Sequence, residues 1–158
     1  MGTSEAANAE MTLTLLAAIE RRDGELLRKL YHPNVEFYWQ PGLPYGGVYK
    51  GEEVARMSED FRSIWWPLQP TEELRRMDSR VLATGPQGRV IVNYIWKGLS
   101  PDGVDFQTET LADYQVEDGQ LRRAQMFYYD LSGLIGFLKH CGLLPTLGGR
   151  PVTLERQE

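Results

Sequence analysis

The chain has 158 residues, 42% of them hydrophobic and 25% charged, with a net charge of −5. That length suits one domain built on a single core, and the balance carries no signature of disorder. Its arginine doublets (Arg21-Arg22, Arg75-Arg76 and Arg122-Arg123) all have acidic neighbours, so the basic footprint that a phosphate backbone requires is missing and nucleic acid is not an expected partner.

In chain order, "MGTSEAANAEM" has neither the basic nor the apolar segment of a secretory signal, and Ala6 breaks the myristoylation pattern. Met11, Leu15, Ala18 and Ile19 then recur at helical spacing, with Ser4 placed as a cap. A shorter helix carries Leu26, Leu27, Leu30 and Tyr31 and ends at His32-Pro33. The stretch "VEFYW" (35–39) reads as a strand, and 40–51 as a Pro/Gly loop holding a short strand at Val48-Tyr49. A third helix places Val54, Met57, Phe61 and Ile64 on one face and stops at Trp66-Pro67. From there the period changes to two, with strand-like runs at 72–83, 89–98, 104–117 and 120–129 separated by turn residues. An apolar helix over 131–139 leads into a tail. The domain is expected to span 1–141, and the tail 142–158. Helices followed by long antiparallel strands make an α+β domain, helices packed on one face of a curved sheet. No apolar run approaches the ~18 residues of a membrane span. The single cysteine, Cys141, has no disulfide partner within the chain, which favours a reducing, cytoplasmic setting.

The stretches "LLAAIERRDGELLRKLYHPNVEFYWQPGLPYGGVYKGEEV" and "FQTETLADYQVEDGQLRRAQMFYYD" resemble the opening and the last two strands of the superfamily that includes nuclear transport factor 2, ketosteroid isomerase and the SnoaL-like polyketide cyclases. The resemblance implies a cone-shaped α+β barrel, a strongly curved and mostly antiparallel sheet enclosing a pocket. It also implies a small-molecule enzyme, and a homodimer formed through the outer sheet face. It does not bring the known acid/base sets with it. The cyclases' pocket histidine falls on Ala112 and their catalytic aspartate on Met126. The isomerase's general base falls on Trp39 or Gln40, its oxyanion tyrosine on Leu15 and its neutral aspartic acid on Ala112.

Strand alternation puts Val35, Phe37 and Trp39, then Val92, Tyr94 and Trp96, then Thr108, Thr110, Ala112 and Tyr114, and finally Ala124, Met126, Tyr128 and Asp130 on the face that matches the family's pocket. Such a wall suits a large hydrophobic ligand, and an ordinary core would give much the same pattern. On the first reading Tyr114 and Tyr128 donate hydrogen bonds, and Trp39, Tyr94, Trp96, Thr110, Ala112 and Met126 shape the substrate. Tyr45 gates access from its loop, and Trp65 or Trp66 covers the entrance. The expected reaction is cyclisation of a polyketide-like molecule by preorganisation, through pericyclic or Michael-type closure. One alternative is a non-catalytic binding module. Another is an acid/base isomerase or dehydratase using Asp130 or Glu109. Asp130 reads first as the cap of the helix that follows it, and Glu109 reads as pointing outward unless a bulge reverses it. Asn93 reads as outward too, available to a second copy of the chain. No metal-ligand spacing and no nucleotide-binding motif occurs, and no cofactor is expected.

Overall fold

A computed structural model describes residues 4–143 in full and the backbone of residues 146, 147, 150 and 151. Most of the expected tail, 142–158, lies outside the described residues.

Ser4 starts helix α1 (Glu5–Arg21), its Oγ accepting from the Ala7 N–H at 3.1 Å. Leu15, Leu16 and Ala18 form its buried stripe. Asp23 caps α2 (Gly24–Leu30) in the same way. Tyr31, read as helical from its spacing, instead opens strand β1 (Tyr31–Trp39). Its backbone is already extended, with φ −84° and ψ 127°, ahead of His32, which Pro33 bars from helical geometry. His32 is tied locally, its Nδ1 accepting from the Asn34 N–H at 2.9 Å and its Nε2 lying 3.2 Å from a Glu117 oxygen.

The Pro/Gly loop returns to β2 (Gly47–Lys50) and leads into α3 (Glu53–Trp65) and a 3₁₀ turn at Trp66–Leu68. The strand expected from residue 72 is a correction. Thr71 Oγ1 accepts from the Leu74 N–H at 3.2 Å and caps a short helix, α4 (Glu72–Arg75), whose first-turn glutamates complement the helix dipole. Strand β3 is confined to Arg80–Thr84. Strands β4 (Arg89–Leu99), β5 (Asp105–Glu117) and β6 (Gln120–Tyr128) and helix α5 (Leu131–His140) complete the domain. Beyond them Thr146–Leu147 pairs with Arg150–Pro151.

The six-stranded sheet runs β2-β1-β6-β5-β4-β3. Its pairs are antiparallel apart from β1–β6, which is parallel. It curls around α1, α3 and α5 without closing, so the expected barrel is an open cone. The β4–β5 register is unbroken from Arg89↔Gln115 to Leu99↔Asp105. With no bulge in that ladder, strict alternation decides which side chains face the helices. Asn93 departs from its expected role. It is buried, its Oδ1 accepts from Arg80 Nη2 at 3.1 Å and its Nδ2 donates to the Thr110 carbonyl at 3.3 Å, so its polar atoms are used within the chain.

Candidate functional site

Three strands present a ladder of inward residues. Tyr94, Thr110 and Tyr128 stand directly opposite one another across β4, β5 and β6, as do Val92, Ala112 and Met126 in the next row. Tyr114 pairs with Ala124, which in turn pairs with Phe37 of β1. All of these side chains are buried, together with Trp39, Trp65 and Trp96. The structure therefore gathers Trp39, Tyr45, Trp65, Tyr94, Trp96, Thr110, Ala112, Tyr114, Met126 and Tyr128 into one interior.

Tyr45 is placed differently from the gate read in the sequence. Turns at Gly42 and Gly47, with φ of 95° and 120°, carry the loop inward and bury Tyr45 completely. Positive φ at these two points is what glycine allows at low cost. The Tyr45 hydroxyl lies 2.8 Å from that of Tyr128 and accepts a hydrogen bond from Trp65 Nε1 at 3.0 Å. Tyr128 is held from its other end by Gln40, whose Oε1 accepts from the Tyr128 N–H at 2.7 Å. Gln40 reads in the sequence as the start of the Pro/Gly loop and as one of two positions for the isomerase's base, and its role as the clamp on Tyr128 needs the fold. Trp66, the other candidate cover, is 40% exposed and packs its ring against Arg22, 4.8 Å away.

The expected cavity is filled by rings. Phe61, read in the sequence as a core position of α3, projects into the centre, with its centroid 5.3 Å from Trp39, 5.0 Å from Tyr45 and 5.5 Å from Trp96. Trp65 packs edge-on to Trp96 at 5.4 Å and parallel to Phe137 at 6.4 Å. Gly98 permits that closure, since a Cβ there would lie 2.9 Å from the Phe137 ring and 3.1 Å from the Trp65 ring. Trp39 Nε1 donates to Met57 Sδ at 3.2 Å, and Met57 also floors a surface cleft of about 330 Å³ shared with Tyr49, Glu52, Glu53, Arg56 and Asp60. A second cleft, about 460 Å³, lies elsewhere, between α4 and the β4–β5 hairpin. Neither cleft is lined by the expected site residues.

Burial raises the pKa of all four inward phenols. For Tyr45 this outweighs the opposing effect of its hydrogen bonds to Tyr128 and Trp65. Tyr94 and Tyr128 are pushed further by neighbouring phenols, and Tyr114 by Tyr31. With the ordinary phenol near 10, these groups stay protonated at neutral pH and act as donors rather than bases. The buried polar side chains among the described residues are Asn8, Thr12, Gln69, Asn93, Ser100, Thr108 and Thr110, with no carboxylate, imidazole or amine among them.

The two expected carboxylates do not join the interior. Asp130 is exposed and caps α5, its Oδ1 accepting from the Gly133 N–H at 2.9 Å. Glu109 is exposed on the outer face, in unbroken register with Ile95. His140 does not pair with Cys141. Its Nε2 lies 3.0 Å from both oxygens of Asp102, tying α5 to the β4–β5 turn. Among the described residues no cluster of His, Cys, Asp and Glu could hold a metal ion, and no helix is long and apolar enough to cross a membrane.

No family model and no curated protein matches the chain. Solved structures do. TerC, co-crystallised with polyporic acid, superposes with a TM-score of 0.70 at 19% identity, over 84% of this chain and 98% of that one. An NTF2-like protein of Burkholderia pseudomallei gives 0.68 at 18%, over 84% and 97%. IdmH, a candidate polyketide cyclase from Streptomyces antibioticus, gives 0.64 at 16%, over 82% and 97%. The chain thus has the NTF2-like fold, the architecture that the sequence resemblance implied. That fold hosts many activities.

Proposed function

We propose that the aromatic interior binds a hydrophobic, polyketide-like small molecule in the space that the half-buried Phe61 ring fills in the free protein, and promotes its cyclisation, mainly by holding it in a reactive conformer. The observation that carries this reading is a count of protons. Trp65 Nε1–H, Tyr45 O–H and Tyr128 O–H supply three protons to a chain of two hydrogen bonds. Whichever phenol donates to the other, one phenolic proton is left over to polarise a substrate carbonyl. The donor that supplies it is strengthened by the bonds behind it. Held orientation can contribute up to ~7–11 kcal/mol to a ring closure. Pericyclic and Michael-type closures suit an interior of donors without a buried base, and base-driven aldol chemistry does not. The resemblance of the fold to a candidate polyketide cyclase supports the same direction.

The test uses 1-tetralone and naphthalene as probes, followed by tryptophan fluorescence. Either phenol alone keeps one free proton, so the test removes both: Tyr45→Phe/Tyr128→Phe is expected to weaken 1-tetralone about fivefold, the worth of one neutral hydrogen bond, and to leave naphthalene unchanged. Equal affinity of the two proteins for 1-tetralone contradicts the reading. The proposed homodimer would use the outer sheet face, where Leu111 stands opposite Phe127, 38% exposed, beside the row that holds Ile95 and Glu109. Sedimentation as a monomer at micromolar concentration contradicts that part alone.

A further inference from the structure

Two polar atoms in this interior lie outside the Tyr45–Tyr128 chain. Trp96 Nε1 and Thr110 Oγ1 are both buried, and neither has a hydrogen-bond partner among the described residues. Thr110 is 0% exposed and Trp96 5%. Buried polar groups in native proteins are nearly always satisfied, so two orphans in one place call for an explanation. Their positions are related. Thr110 stands between Tyr94 and Tyr128 in the ladder, while Trp96 pairs with Thr108 and is therefore Thr110's diagonal neighbour across β4 and β5. Trp96 also closes on Phe61, the ring at the centre of the interior.

The chemistry of the pair is specific. An indole N–H only donates, and a threonine hydroxyl donates or accepts. With the phenolic proton left over beside Tyr128, the interior offers donors from two groups of side chains, which meet where Thr110 stands opposite Tyr128. No arginine or lysine is among the buried side chains to balance an anion, and no carboxylate to balance a cation, and an uncompensated charge is strongly disfavoured there.

We infer that Trp96 Nε1 and Thr110 Oγ1 form a second polar anchor, and that the ligand is an uncharged, largely planar apolar molecule carrying at least two carbonyl-type oxygens. One oxygen meets the Tyr45–Tyr128 pair and the other meets the Trp96–Thr110 pair. This rests on the reading of the interior as a binding site, and makes Trp96 and Thr110 residues that select among ligands.

The test compares naphthalene, 1-tetralone and 2,3-dimethyl-1,4-naphthoquinone, which carry no, one and two carbonyls on similar frames and, in the last, blocked ring positions that resist thiol addition. In the wild-type protein affinity is expected to rise about fivefold at each step. Thr110→Val, which keeps the side-chain volume, is expected to abolish the second step while leaving naphthalene within twofold. Trp96→Phe is expected to abolish it as the ratio of dicarbonyl to ketone affinity, since the smaller ring changes the space open to every probe. A dicarbonyl that binds no tighter than the ketone, or a second step that survives both substitutions, overturns the anchor and leaves the Tyr128 site standing. Failure of all three probes to bind overturns the binding-site reading itself, and the anchor with it. A readout without ligand stands beside these. Thr110→Val removes an unsatisfied hydroxyl, so Tm is expected to rise by about 2–4 °C. A lowered Tm means that the hydroxyl is already satisfied in the free protein, and overturns the anchor.

Discussion

Trp65→Ala is expected to lower the stability of the fold by about 3–5 kcal/mol, the range for deleting a buried tryptophan side chain. Trp65 is fully buried, packs against Trp96 and Phe137 and donates to Tyr45. Its removal takes away three kinds of support at once. The rings of β4 and α5 lose their common neighbour, a cavity opens that the sheet cannot collapse to fill, and the Tyr45 oxygen loses its donor. Against a total stability of about 5–15 kcal/mol for such a domain, this is a large share. Urea denaturation of the two proteins measures it, and a loss below about 1 kcal/mol would show that Trp65 is not the keystone of the ring cluster.

Phe61→Ala is the second large effect, and its sign differs between stability and binding. Phe61 is only half-buried and comes from α3 rather than from the sheet, yet it occupies the space between Trp39, Tyr45 and Trp96. Its deletion is expected to cost about 2–3 kcal/mol, less than a fully buried ring because part of it already faces water. The apolar cavity left behind should take up a small aromatic molecule, as dry engineered cavities do. Naphthalene is therefore expected to bind at least tenfold more tightly to Phe61→Ala than to the wild-type protein. Equal affinity would mean that Phe61 does not occupy the ligand's place and that the interior behaves as ordinary core.

The contrast between these two residues also shows what the sequence made legible. The period-two alternation of 89–98 and 104–117 sorted inward from outward residues correctly, because the β4–β5 ladder has no bulge to shift its parity. The same parity sent Glu109 outward, and the helix-start pattern after the last strand placed Asp130 as a cap. Periodicity has nothing to say about loops. It could not show that two positive-φ glycines turn Tyr45 into the core, nor that Gln40 reaches the backbone of Tyr128. The α4 cap was written in "TEEL", a threonine followed by two glutamates, but it was outweighed by the strand pattern running on from it. Nor could face assignment distinguish a helix residue that packs against a cavity wall from one that fills the cavity. Phe61 is the second kind. Both kinds of residue satisfy the same three- and four-residue spacing, and only the distances between rings separate them.

The proposed function requires that this interior receive a bulky, apolar, oxygen-bearing molecule. The most direct measurement is a thermal-shift screen of the wild-type protein against hydrophobic polyenes, polyketide-like lactones, steroids and small polar acids. A ligand at 100 times its Kd adds about 2.7 kcal/mol of stability, which corresponds to a rise in Tm of roughly 5–10 °C for a chain of this size. The expected result is stabilisation by the bulky carbonyl-bearing compounds and none by the polar acids. A flat response to every compound, or a response to the acids alone, would contradict it.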